Sequence, residues 1–313
     1  MLAATVRSGL VESTHEWFGA AVTSGGDVVE AWGDIDRPFF HRSAIKPLQA
    51  TVSQEAGAAL DPEQMALACA SHSGQPVHVA IVTRMLGQAG IDEASLQCPP
   101  DRPLGSSARA RLLAEGGRPT RAHHNCSGKH AAFLRASRAS GWRPSSYLDA
   151  GHPLQQRVIE FVGEVCGHDP LPVGVDGCGA PTLRGTLRAL ATGFARLGTD
   201  PRMAEACTAM VRYPALVSGN DRPDGRFGMW WGGPAKVGAE GLMAAGRNGV
   251  GLAVKSAEGS ARIAVVGLVE IARRLGLLSP AALDALAGDH TPVVLGAGRP
   301  VGSIVPDLSR WQP

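Results

Sequence analysis

The sequence predicts an α+β fold on three observations. Strand signals gather at both ends of the 313-residue chain, helical periodicity fills its middle, and no G-x-G-x-x-G or Walker sequence follows a strand. The expected architecture is a mainly antiparallel sheet from N- and C-terminal strands (about 1–35 and 240–313) beside a large helical region (about 43–235). All of it is expected in one domain, 1–313.

Each element has its own signal. Residues 16–23 and 27–32 read as two strands joined through Gly25-Gly26, a hairpin turn. Helices are expected over 44–55, 62–70, 77–88, 130–140, 153–166, 182–197 and 201–212, each with apolar residues at helical spacing and a Gly, Pro or polar residue near an end. Residues 219–238, rich in Gly, Pro and Trp, read as a shaped loop. Strands return at 241–245 and 249–256, followed by helices at 261–275 and 280–287 and a closing strand pair at 292–295 and 300–304. The N-terminal hairpin is expected to pair with the C-terminal strands.

Composition narrows the function. Thirty basic residues against 28 acidic ones give a formal charge of +2, with no long block of either sign. That excludes a nucleic-acid footprint. No basic start precedes an apolar run at the N-terminus and no stretch is long enough to span a bilayer, so no membrane association is expected. The six cysteines are too sparse for a disulfide framework, and a reducing cytoplasm is the expected compartment.

Chemistry concentrates in five short segments. In Arg42-Ser43-Ala44-Ile45-Lys46-Pro47, a serine and a lysine three apart share one face of a helical turn, which brings an amine toward a hydroxyl. Pro47 is tolerated only in a first turn, so Ser43 is expected at a helix N-terminus, where backbone N–H groups stabilise negative charge. In isolation this pattern equally describes a capping serine beside a solvated lysine. Ser71-His72-Ser73-Gly74-Gln75 puts hydroxyls and an imidazole in a turn. The block 123–130 holds more ligating groups than a helix cap needs. Asp176-Gly177-Cys178-Gly179 follows a strand, and its glycines permit close backbone approach. Lys255 lies within an apolar strand, where burial lowers an amine's pKa.

Arg42-Ser43-x-x-Lys46-Pro47-x-Gln49, Ser71-His72-Ser73-Gly74, Asn125-Cys126-Ser127-Gly128-Lys129-His130, Asp176-Gly177-Cys178-Gly179-x-Pro181 and Lys255-Ser256 occur together and in this order. In this the chain resembles L-asparaginases of the Rhizobium etli type, the third structural class, from the N-terminal hairpin to at least Glu258. The resemblance implies a serine β-lactamase/glutaminase-like fold, a homodimer and two Ser–Lys pairs: Ser43 with Lys46, and Ser71 with Lys255. Ser73 is the alternative to Ser71. It also implies zinc on Cys126, Lys129 and Cys178, with Asp176 beside them. From the residues alone, His123, His124 and His130 would look like better ligands than a lysine, which must first lose a proton. Gln75 stands where relatives would carry an acidic residue.

The expected reaction is hydrolysis of L-asparagine to L-aspartate and ammonia through an acyl-enzyme. Neutral Lys46 deprotonates Ser43, Ser71 and Lys255 relay a proton to ammonia, and backbone N–H groups of Ser43 and of the strand near Lys255 hold the oxyanion. Charge complementarity assigns Arg42 and His72 to the substrate α-carboxylate and Asp176 to its α-ammonium. Activity is expected to rise into the alkaline range. The alternatives are a serine-dependent glutaminase, a β-lactamase-like acyl-serine hydrolase, or a non-catalytic amino-acid-binding homologue.

Overall fold

Apolar alternation along the terminal segments produces strands, and these close into one antiparallel sheet of eight among the described residues, 1–219 and 222–311 of a computed structural model. The strands are β1 (Leu2–Arg7), β2 (Leu10–Thr23), β3 (Val28–Trp32), β4 (Phe39–Phe40), β5 (Val173–Val175), β6 (Pro181–Gly185), β7 (Ala235–Val237), β8 (Leu242–Arg247), β9 (Val250–Ser256), β10 (Val293–Gly296) and β11 (Arg299–Val305). The main order is β10-β11-β1-β2-β9-β8-β7, with β3 also on β2, while β4, β6 and β5 form a small second sheet. The 14 residues of β2 make this possible. Its first half pairs with β1 and its second half lies between β3 and β9.

Helices α1 (Lys46–Ser53), α2 (Pro62–Ala68), α3 (Pro76–Gln88), α4 (Ser106–Ala114), α5 (Ser127–Ala139), α6 (Pro153–Cys166), α7 (Leu187–Leu197), α8 (Ala204–Arg212), α9 (Pro214–Val217) and α10 (Pro223–Trp231) make up the middle of the chain. After the strands of the second half come α11 (Ala261–Arg274), α12 (Pro280–Ala285) and α13 (Ala287–His290). The two-residue strand period sorts the core. Ala20, Val22, Leu242, Ala244 and Ala253 face α7 and the helical middle. Ala21, Met243, Ala245, Leu252 and Val254 join Trp17 beneath α11.

The α+β class holds, and several elements differ from expectation. Strand β1 was not expected, and it supplies part of the predicted N-to-C-terminal pairing through β11. The helix expected over 182–197 is strand β6 followed by α7, because Pro181–Leu183 pair with β5 and Thr186 caps the helix by accepting from Ala189 N. The stretch 219–238 is not simply a loop. Pro223 opens α10, buried Phe227 and Trp231 one turn apart anchor it, and left-handed Gly232 ends it, with β7 following. Residues 220–221 of that stretch lie outside the described residues. Gly128 explains the glycine of the 125–130 block: a Cβ there would lie 2.3 Å from Leu67 O, so only glycine lets α5 approach α2 this closely. No helix among the described residues is long and apolar enough to cross a membrane.

Candidate active site

Backbone strain marks the first wall. Arg42 sits at φ +49°, a conformation most side chains avoid, and opens a 3-10 turn, Arg42–Ile45, that feeds α1. Lys46 is the first α1 residue and Pro47 the second, where a missing N–H costs nothing. In a 3-10 turn residues three apart eclipse, which aligns Ser43 with Lys46. The second wall is the loop after α2. Ser71 N donates to Val217 O and His72 N to Asn125 O, so backbone bonds to two separate segments fix the loop.

Ser71 is the centre. Its Oγ lies 3.0 Å from Lys46 Nζ and 2.8 Å from Lys236 Nζ, and both lysines are fully buried. Lys46 also donates to Ala70 O (2.6 Å) and to Cys126 Sγ (3.2 Å), so its three donors meet three acceptors. Lys236 donates to Val237 O at 2.7 Å. Burial and then the charge of Lys46 hold the Lys236 amine well below the ordinary lysine value. A hydroxyl flanked by such an amine is primed to lose its proton. Ser43 is half-buried, and its hydroxyl bonds to no described residue.

The expected pairing of Ser71 with Lys255 is therefore corrected: the second lysine is Lys236. Lys255 is half-buried and donates to Glu240 O and Ser256 O. It lines a separate cavity of about 210 Å³ with Phe18, Arg37 and Phe39. Sheet register explains the difference. Lys236 stands opposite Ala244 in β8, which pairs with Ala253, whereas Lys255 pairs with Leu242 and Phe18. Both point to the helical side, but two strands across and two residues along separate their Cα atoms by roughly 12 Å. The backbone oxyanion donor expected near Lys255 lies on the same strand, β9.

Of the expected substrate-binding residues, Arg42 and Asp176 come together. Arg42 Nε donates to Asp176 Oδ1 at 2.7 Å, so the two charges already balance each other. His72 does not fit a substrate role. It is fully buried, its Nε2 bonds Ser127 Oγ at 2.9 Å and its Nδ1 accepts from Gly74 N. Burial, then neighbouring His78, holds the ring well below the usual imidazole range. Both nitrogens serve the loop. Ser73, the alternative to Ser71, donates to Ser218 O. Gln75 caps α3.

Cys126, Lys129 and Cys178 converge as the resemblance implied. Lys129 Nζ lies 3.3 Å from Cys178 Sγ. Cys126 Sγ donates to Asn125 Oδ1 at 3.1 Å. Interaction with Cys126, then the Lys129 charge, holds the Cys178 thiol far below the ordinary thiol range despite burial, while the Cys126 thiol is pushed up. Burial opposes the Lys129 charge, but the Cys178 thiolate outweighs it and the lysine's pKa is raised. Among the described residues, no group of three or more His, Cys, Asp or Glu is placed to hold a metal. A zinc ion here would need Lys129 alongside the two sulfurs. Thiolates are ordinary zinc donors, but Lys129 could join them only after losing a proton that its raised pKa retains. Of the histidines that look like better ligands, His124 Nδ1 accepts from Cys126 N and His130 Nδ1 is bonded to Tyr147 Oη.

Sequence reading missed Lys236. The signal was present, since Pro234-Ala235-Lys236-Val237-Gly238 isolates a lysine among apolar residues just as 252–257 does. Its loop-like neighbours hid it.

Residues 3–306 match the sequence profile of the family described as L-asparaginase II. No curated protein gives a significant match. Among solved structures, the glutamate form of Mglu superposes with a TM-score of 0.48 at 18% identity, covering 84% of this chain and 61% of that one. Native Mglu gives 0.48 at 19% identity, covering 90% and 70%. This chain thus spans about three fifths of the length of the glutamate-form chain.

Proposed function

We propose that this chain, which belongs to the L-asparaginase II family, hydrolyses the side-chain amide of L-asparagine to L-aspartate and ammonia through a seryl ester. The observation that carries the reading is Ser71 Oγ held between two buried lysine amines, at 3.0 and 2.8 Å. A structural serine needs no such expense, because burying two amines side by side is costly unless they work.

Ser43 is the proposed nucleophile, since its hydroxyl is half-buried and bonded to no described residue. As Ser43 attacks the amide carbon, its proton passes to Lys46, a Lys46 proton passes to Ser71 and the Ser71 proton passes to neutral Lys236. The backbone N–H of Ser43 would contribute to holding the oxyanion. The tetrahedral adduct collapses when the C–N bond breaks and ammonia leaves with a proton from the relay. Water then adds to the ester, the relay takes its proton, and Ser43 is restored. Zinc would be held by Cys126, Lys129 and Cys178, and when bound would polarise or orient the substrate amide; no step above passes through it. The working unit is proposed to be a homodimer.

A second reading makes Ser71 the nucleophile, favoured by its direct contact with both amines. Ammonia release from L-asparagine and L-glutamine by wild type, Ser43→Ala and Ser71→Ala tests both, with intact mass after quenching to find the ester. An ester on Ser43 that persists in Ser71→Ala supports the first reading, and one on Ser71 supports the second. Full turnover by either alanine variant would remove that serine from the mechanism. One methylene separates the two amides, a difference worth about 1–3 kcal/mol in a pocket, so the asparagine preference is read from relative kcat/KM.

A further inference from the structure

At the amino-acid end of the substrate, Arg42 and Asp176 are already closed on each other by a 2.7 Å hydrogen bond and His72 is fully engaged. Among the described residues, one buried acid close enough for its charge to act on Lys236 lacks a hydrogen-bond partner. Asp224, the second residue of α10, is 4% exposed, and neither carboxyl oxygen accepts a hydrogen bond. Arg222 Nε stands 3.5 Å from Asp224 Oδ1, beyond good hydrogen-bonding distance, and Arg222 is itself mostly buried.

Local packing ties this pair to the catalytic loop. A Cβ on Gly225 would strike Gly219 O and Ser218 Oγ, so the start of α10 presses on residues 218–219. That segment in turn accepts from Ser73 Oγ through Ser218 O, and its neighbour Val217 O accepts from Ser71 N. Asp224 and Arg222 are both close enough to Lys236 for their charges to act on its amine. The Lys236 hydrogen bonds nevertheless go to Ser71 and Val237, leaving Asp224 open. A buried carboxyl without donors is costly, and native proteins keep such groups where a ligand completes them.

We propose that Asp224 and Arg222 read the zwitterion of the substrate: Asp224 accepts from its α-ammonium and Arg222 donates to its α-carboxylate. This deepens the amidohydrolase reading and rests on it for the identity of the ligand as an α-amino acid amide. A cation and an anion offered side by side match a zwitterion, whereas a simple carboxylate would meet repulsion from Asp224.

The test uses the full-length protein and three amides: L-asparagine, succinamate (no α-ammonium) and 3-aminopropanamide (no α-carboxylate). Asp224→Asn is expected to lower kcat/KM for L-asparagine about 10- to 100-fold, the range for a charged hydrogen bond, and to leave succinamate within about threefold. Arg222→Met is expected to lower L-asparagine similarly and to spare 3-aminopropanamide, so the test stands if either variant fails to fold. Equal losses on all amides would mean that the pair only tunes the lysines, which overturns the proposal, as would no loss. Calorimetry with L-aspartate and succinate separates this failure from failure of the amidohydrolase reading. Wild type that releases no ammonia but prefers L-aspartate to succinate, with the preference lost in Asp224→Asn, refutes the hydrolysis alone. No preference in wild type overturns the assignment of Asp224.

Discussion

Replacing Lys236 and Lys255 by methionine, one at a time, separates the observed site from the one expected from the motifs. Lys236 Nζ is 2.8 Å from Ser71 Oγ in a fully buried setting, so Lys236→Met removes the proposed terminal base of the relay. General-base removal typically costs about 10²- to 10⁴-fold, or roughly 3–5 kcal/mol in barrier. Lys255 touches the site only through its field. At a Cα separation of roughly 12 Å, one charge contributes about 0.3–1.4 kcal/mol for an effective dielectric between 80 and 20, at most about tenfold. Steady-state ammonia release gives both numbers, and circular dichroism melts confirm folding. A folded Lys236→Met that keeps more than about a tenth of wild-type kcat/KM, or a Lys255→Met that loses as much as Lys236→Met, would refute the reasoning.

Three further outcomes follow from the same geometry. Lys236 is held below its unfolded value of 10.5, so the unfolded chain binds more protons between the two values and stability rises with pH across that window. Activity should therefore climb from acid pH and reach half-maximum well below pH 10.5, and a rate that tracks an unshifted lysine would contradict it. Gly128→Ala, despite alanine's higher helix propensity, should lower stability by about 1–3 kcal/mol because the new methyl meets Leu67 O; a raised Tm would contradict it. Purified protein dialysed against zinc should retain the metal, and Cys178→Ser should lose it, measured by elemental analysis. Equal retention by Cys126→Ser, Cys178→Ser and wild type would dismiss that ligand set.

Much of this was legible from sequence. Terminal strands and a helical middle follow from the period of their apolar residues, and α6, with Pro153 at its start and Gly167 after its end, has the bounds its signals imply. Ser43 and Lys46 were legible from residue type and spacing, whereas Ser71, Cys126, Lys129 and Cys178 were singled out only through the family resemblance. The second lysine did not, because register decides which side chain of a sheet reaches Ser71, and register is fixed by pairings far apart in the chain. Helix α10 was hidden for a related reason: its two glycines weaken local propensity, and burial of Phe227 and Trp231 holds it. Asp224 carries no local signal at all. Its role emerges only from what fails to bond with it.

Strand β7 is three residues long and, among the described residues, pairs with β8 alone, yet it carries Lys236. Peeling away so short an edge would part Lys236 from Ser71 while most of the hydrophobic interior stayed intact. Catalytic competence would then vanish at a milder denaturant concentration than cooperative collapse of the whole molecule. A short edge of the sheet and the proposed proton acceptor are thus the same few residues.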